Sequence, residues 1–92
     1  MVTVNFSSSM QSITKGSREL EIDFEGSVDK LFEKLGGIFG EEFKRRIYQE
    51  ESVLRRYINV YVDGKDIRFL DGERTAVRRD STVDVVPAVS GG

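Results

Sequence analysis

The side chains that most often carry covalent or metal chemistry are missing from this chain of 92 residues, which contains no Cys and no His. Their absence removes thiol nucleophiles, thiolate and imidazole metal ligands, and the Ser-His and Cys-His pairs that activate a nucleophile. Catalysis by this chain alone is therefore not expected. The carboxylates of Asp63, Asp66, Asp71, Glu73, Asp80 and Asp84 follow no calcium-loop spacing, and several stand where turn chemistry explains them. The serines between Ser7 and Ser12 read as a solvated linker. Leu35-Gly36-Gly37-Ile38-Phe39-Gly40 lacks the Lys-Ser/Thr of a phosphate loop and reads as a helix end, with Gly36-Gly37 as the C-cap. What remains is the carboxylate of the terminal Gly91-Gly92. Glycine has no Cβ, so such an end is slim enough to enter a narrow site in extended form. A diglycine end arises by chance in roughly one chain in 200 at average usage. Its weight depends on the elements that present it.

Those elements are legible from periodicity. Val2, Val4 and Phe6 alternate with Thr3 and Asn5, predicting a strand, and Leu20, Ile22 and Phe24 alternate with acidic residues in a second. Behind Ser27 as N-cap, Val28, Leu31, Phe32 and Leu35 have the spacing of an amphipathic helix. A shorter helix is predicted from Glu41 to Glu50, with Glu41–Arg45 and Glu42–Arg46 pairs and with Phe43 and Ile47 inward. Tyr57 to Val62 is the clearest strand, and Asp63-Gly64 is a hairpin turn leading into a strand from Lys65 to Phe69. A last strand spans Thr82 to Val86, with Pro87 ending its pairing. The predicted order is strand, strand, helix, short helix, strand, strand, strand.

Composition agrees with one folded domain: 38% of residues are hydrophobic, 33% are charged, and there are six Phe and three Tyr. A net charge of −2, from 14 basic and 16 acidic residues, leaves no broad basic footprint for nucleic acid or anionic membrane. Lys44-Arg45-Arg46 and Arg78-Arg79 read as solvated charges. No segment approaches the ~20 apolar residues of a spanning helix, and the N-terminus lacks a signal-peptide pattern. The cytoplasm is the expected location.

Three stretches, Tyr57-Ile58-Asn59-Val60-Tyr61-Val62-Asp63-Gly64-Lys65-Asp66-Ile67, Asp71-Gly72-Glu73-Arg74-Thr75 and Pro87-Ala88-Val89-Ser90-Gly91-Gly92, resemble the MoaD/ThiS sulfur carriers, best the small subunit of molybdopterin synthase. The tail also looks like that of the small archaeal modifier proteins. The resemblance covers essentially the whole chain and is weakest from Ser7 to Ser17. Ala88 departs from the Pro-Pro that many such tails carry.

The resemblance implies an α+β, ubiquitin-like β-grasp: a mixed sheet of about five strands wrapped on one main helix, with a short second helix. It divides the chain into a domain, 1–86, and a flexible diglycine tail, 87–92. A carboxylate is a poor electrophile, so an E1-like partner must consume ATP to convert Gly92 into an acyl-adenylate, using Gly91, Ser90 and Val89 as the stretch it threads. The activated Gly92 then becomes a thiocarboxylate sulfur donor to the large synthase subunit, or is joined to target lysines. The chain binds no cofactor or metal of its own, and when free it is expected to be a monomer. It is a carrier rather than an enzyme, at most a non-catalytic small subunit.

Strand alternation suggests where partners dock. With Ile58, Val60, Val62, Val83 and Val85 inward, Tyr61 and Val86 face out; either they form with Pro87 an exposed apolar patch at the root of the tail, or a neighbouring segment covers Val86. The alternative reading is a ubiquitin-like protein-binding module that works through its sheet with no C-terminal chemistry.

Overall fold

In the computed structural model, which describes residues 1–50, 53–55 and 57–87, the alternation near the N-terminus becomes strand β1 (Val2–Phe6), with Val2, Val4 and Phe6 buried. Strand β2 (Glu19–Ile22) returns antiparallel to it, Val2 opposite Ile22 and Asn5 opposite Glu19. The segment joining them is more than a solvated linker. A 3-10 turn at Ser8–Met10 places Met10 in the core, and the buried Thr14 donates its hydroxyl to the Ser17 carbonyl at 2.8 Å.

After the short strand β3 (Gly26–Ser27), helix α1 (Val28–Phe39) buries Val28, Leu31, Phe32 and Leu35, as their spacing predicts. Burying each of these larger side chains stabilises the fold by about 1.5–3 kcal/mol. Ser27 sits at the N-cap, but its hydroxyl bonds to the Asp29 carboxylate instead of a helix N–H. The expected end at Gly36-Gly37 is incorrect. The helix runs one further turn because Phe39 packs on Phe6 and Phe43, with ring centroids 5.5 and 5.4 Å apart, and this outweighs the helix cost of about 1 kcal/mol per glycine. Gly36 lies under the Lys44 stem, where a Cβ would come within 3.0 Å of Lys44 Cε. The break falls at Gly40, whose φ of 95° turns the chain into helix α2 (Glu41–Ile47).

Helix α2 is shorter than predicted, since Tyr48–Glu50 forms strand β4, paired with β5 (Val53–Leu54). Phe43 and Ile47 are buried as expected. Among the described residues neither Glu41–Arg45 nor Glu42–Arg46 is an ion pair; Glu41 instead meets Lys44 at 3.6 Å. Strand β6 (Ile58–Val62) then turns through Asp63 (φ 51°) and Gly64 (φ 84°), both left-handed, into β7 (Lys65–Asp66). This is the conformation that suits a tight hairpin. The predicted strand to Phe69 stops at Asp66, because Asp66 Oδ1 accepts the Arg68 N–H at 2.9 Å and caps a 3-10 turn, Ile67–Phe69. A further 3-10 turn, Gly72–Arg74, leads to strand β8 (Ala76–Val77), which pairs with β3. The last strand, β9 (Thr82–Pro87), takes in Pro87.

The main sheet has five strands in the order β2-β1-β9-β6-β7. β1 and β9 run parallel while the other pairs are antiparallel, so the sheet is mixed. One core joins its inner face to α1 and α2. This is the expected β-grasp, with two small ribbons that periodicity did not reveal.

Two glycines around the end of α1 give opposite predictions. Gly40 holds φ 95° and ψ −164°, a region nearly closed to other residues, so Gly40→Ala should lose about 1–3 kcal/mol. Gly37 is an exposed helix residue with open space at its Cβ position, so Gly37→Ala should gain about 1 kcal/mol. Urea denaturation of the two variants measures both signs. A third expectation concerns alkaline pH. Burial, aided by the Glu33, Glu73 and Asp29 carboxylates, pushes the Tyr48 phenol from 10.0 up to about 12. The folded state thus favours the neutral phenol. Its contribution to stability is complete below the ordinary value and is lost as pH rises through about 12. Stability of Tyr48→Phe, followed over that range, should lack this component of the decline.

Candidate functional site

The last described element, which residues 88–92 follow in sequence, is β9, the middle strand of the five. Its register is set at the start of the strand by Asp63. The Asp63 N–H donates to the Thr82 carbonyl at 2.8 Å, its Oδ1 accepts the Thr82 N–H at 2.9 Å, and its Oδ2 accepts the Ser81 hydroxyl at 3.2 Å. Ser81 Oγ in turn accepts the Arg78 N–H at 2.9 Å. A carboxylate that reads in the sequence as part of a turn thus ties the β6–β7 hairpin to the strand carrying the terminus.

From that clamp the alternation runs without a slip. Val83 and Val85 are fully buried, Val86 is 39% exposed, and Tyr61 lies half-buried one pair further along the outer face, opposite Asp84. Val86 and Tyr61 are therefore where alternation places them. Pro87, expected beside them in the exposed patch, is instead buried opposite Ile58, the inward position that alternation from Val83 and Val85 gives it. The expectation failed on one physical point. The Val85 carbonyl accepts from Ser7, so odd residues of β9 direct their backbone groups toward β1. Pro87 lies past the end of β1, where no donor is required, so a proline continues the strand there without loss. Of the remaining site residues, Val89, Ser90, Gly91 and Gly92 lie outside the described residues.

Beside Val86 the outer face carries a polar network. Asn59 is directly opposite Val86, and its Oδ1 accepts from Arg68 Nη2. Arg68 also donates to Asp66, from Nε to Oδ1 at 3.2 Å and from Nη2 to Oδ2 at 2.9 Å. These bonds hold the Asp66 carboxyl below the usual carboxylate range and raise the Arg68 guanidinium. On the same face Asn5 Nδ2 donates to Asp84 Oδ1 at 2.9 Å. Arg78 and Arg79 are exposed, as read.

The residues that periodicity missed follow Arg68. Phe69 is 87% exposed and Leu70 42%. Read as a strand, Lys65 to Phe69 put Phe69 on the same face as Ile67, which is buried; the 3-10 turn breaks that alternation and leaves Phe69 in water. The available signal was Asp66, a residue type that caps turns. Among the described residues no three His, Cys, Asp or Glu side chains converge as a metal site, and no helix is long and apolar enough to cross a membrane.

Known proteins share this fold and part of the sequence. The ThiS family model matches residues 4–92. A provisional sulfur carrier protein of Archaeoglobus fulgidus is 35% identical over 82 residues, covering 88% of this chain and 90% of that protein. A chain in the crystal structure of the Amycolatopsis orientalis BexX/CysO complex superposes with a TM-score of 0.85 at 28% identity, covering 100% of both chains. The solution structure of small archaeal modifier protein 1 from Methanosarcina acetivorans shares the fold, with a TM-score of 0.81 at 24% identity over 99% of this chain and 95% of that one. A match across nearly the whole sequence and a shared β-grasp lead to one conclusion: the chain belongs to the ThiS family, among the ubiquitin-like proteins of MoaD/ThiS type.

Proposed function

We propose that this protein is a ubiquitin-like sulfur carrier whose Gly92 carboxyl is activated by a partner enzyme. The observation that carries the reading is the match of the family to residues 4–92, reaching the diglycine, together with a relative described as a sulfur carrier along 90% of its own length. The chemistry agrees. A chain without Cys has no thiolate to hold sulfur on a side chain, so the terminal carboxyl is the group to load.

An E1-like enzyme joins the Gly92 carboxylate to the α-phosphorus of ATP, releasing pyrophosphate. A sulfide equivalent then attacks the acyl carbon and displaces AMP, leaving a thiocarboxylate. A lysine amine attacking the same adenylate gives an isopeptide bond and AMP, and the MoaD/ThiS resemblance allows either acceptor. Residues 1–87 form the docking body, and 88–92 deliver the acyl group through the threaded stretch Val89, Ser90 and Gly91. Tyr61 and Val86 lie on the outer face toward the partner, whether that is the activating enzyme or a synthase large subunit that takes the sulfur. The similar Amycolatopsis orientalis chain was crystallised as a BexX/CysO complex, which supports protein docking by a chain of this fold. ATP is consumed by the partner, in the cytoplasm, and no cofactor stays on the carrier.

The test is intact-mass analysis of the full chain after incubation with ATP, sulfide and a cognate E1-like enzyme. The expected product has one oxygen replaced by sulfur, and the chain lacking Gly91-Gly92 should give none. That deletion should leave stability within about 0.5 kcal/mol of the parent, as for other changes remote from the packed core. A parent chain that is never adenylated, sulfurised or conjugated refutes the proposal. A truncated chain that keeps its partner and function favours the alternative, a binding module acting through its sheet.

A further inference from the structure

The exposed apolar side chains are unevenly distributed. Among the described residues six large hydrophobics are exposed: Met1, Ile38, Tyr57, Phe69, Leu70 and Val86. Met1 belongs to the opposite end of the sheet, where its amino group meets Asp80 at 3.5 Å, and Ile38 is on the solvent side of α1. The other four stand at the end of β9 or on segments that the β6 and β7 registers direct toward it. Val86 is the penultimate residue of β9, and Tyr57 immediately precedes Ile58, the partner of Pro87. β7 runs antiparallel to β6, Val62 opposite Lys65 and Tyr61 opposite Asp66, so the chain beyond Asp66 heads back toward Ile58. The bond from Arg68 to Asn59, which is opposite Val86, fixes that direction.

Phe69 stands out within this group. A phenyl ring 87% exposed on a turn fixed by the Asp66 cap and by the Leu70 N–H to Ile67 carbonyl bond at 3.0 Å is a rigid apolar projection, and its burial by a partner loses little backbone freedom. Arg68 beside it is held by Asp66 and Asn59 through Nε and Nη2, leaving the Nη1 donors of its guanidinium unused by either.

The short tail identifies the occupant. Five residues separate Pro87 from the end at Gly92, and five residues reach at most about 18 Å when fully extended. The described fold measures 31 × 26 × 23 Å, so a site that acts on Gly92 must abut the end of the molecule from which β9 emerges. We infer that Phe69 is the anchor by which the enzyme that takes up Gly92 holds this chain, with Arg68 as the polar contact beside it. The inference rests on the reading of Gly92 as the activated residue. The partner surface it calls for is an apolar pocket sized for a phenyl ring, with a carboxylate at its rim.

The experiment uses the full chain and the adenylating enzyme of the source organism, measuring ATP–pyrophosphate exchange that depends on the carrier. Phe69→Ser should raise the KM for the carrier about tenfold or more, as loss of an interface hot spot does, with kcat within about twofold. Arg68→Ala should raise KM as well, and Arg68→Lys should recover only part of the loss because lysine lacks the planar fork. Ile38→Ser, equally surface-altering, should leave KM unchanged. Denaturation curves of Phe69→Ser and Ile38→Ser should overlay the parent's, given the exposure of these two side chains. Unchanged KM for Phe69→Ser, or an effect confined to kcat, overturns the inference while loss of exchange on deleting Gly91-Gly92 leaves the carrier reading intact. Absence of exchange with the parent chain refutes the carrier reading and the inference together.

Discussion

The structure depends on a single strand being hydrogen-bonded on both sides. β9 pairs in parallel with β1 and antiparallel with β6, and its inward side chains, Val83 and Val85, are fully buried against the helices. Because side chains alternate with a period of two, a slip of one residue would put these valines in water and Val86 inside. Burial therefore strongly penalises any other register. The Asp63 carboxylate and backbone add a polar constraint at the first residue of the strand, so hydrophobic and hydrogen-bonding requirements agree on one alignment. The placement of Pro87 at the end of β9, and the side chains that surround it, follow from that alignment.

Much of this was legible in the sequence, for a physical reason. β1, α1 and β6 each bury one face against a common core, and one-sided burial writes a period into the order of apolar residues: Val2, Val4 and Phe6 at two, Val28, Leu31, Phe32 and Leu35 at the helical repeat. What was lost depended on tertiary context. Gly36 and Gly37 have the local preference of a helix end, yet Phe39 finds Phe6 and Phe43 only in the folded chain. Pro87 reads as a terminator until the end of β1 beside it shows that its missing N–H costs nothing. The exposure of Phe69 turned on whether a strand or a capped turn follows Lys65, and Asp66 settles that through one backbone hydrogen bond.

The candidate site divides in the same way. The terminal carboxylate stands out as the candidate group because the chain has no Cys and no His, a matter of composition alone. The outward placement of Val86 and Tyr61 followed from alternation. The network of Arg68, Asp66 and Asn59 did not, because it joins residues from two strands and a turn whose proximity the β6–β7 register creates. Periodicity reports which face a residue takes and is silent about neighbours across a sheet.

The position of β9 has a mechanical consequence. A partner that pulls on the tail applies its load along a central strand, so the ladders to β1 and β6 are strained together in shear rather than opened one bond at a time from a sheet edge. Resistance to forced unfolding follows the rate of crossing that barrier. A terminus drawn from an edge strand would peel away under tension. A central strand such as β9 can bear tension at its end while the body behind it stays folded.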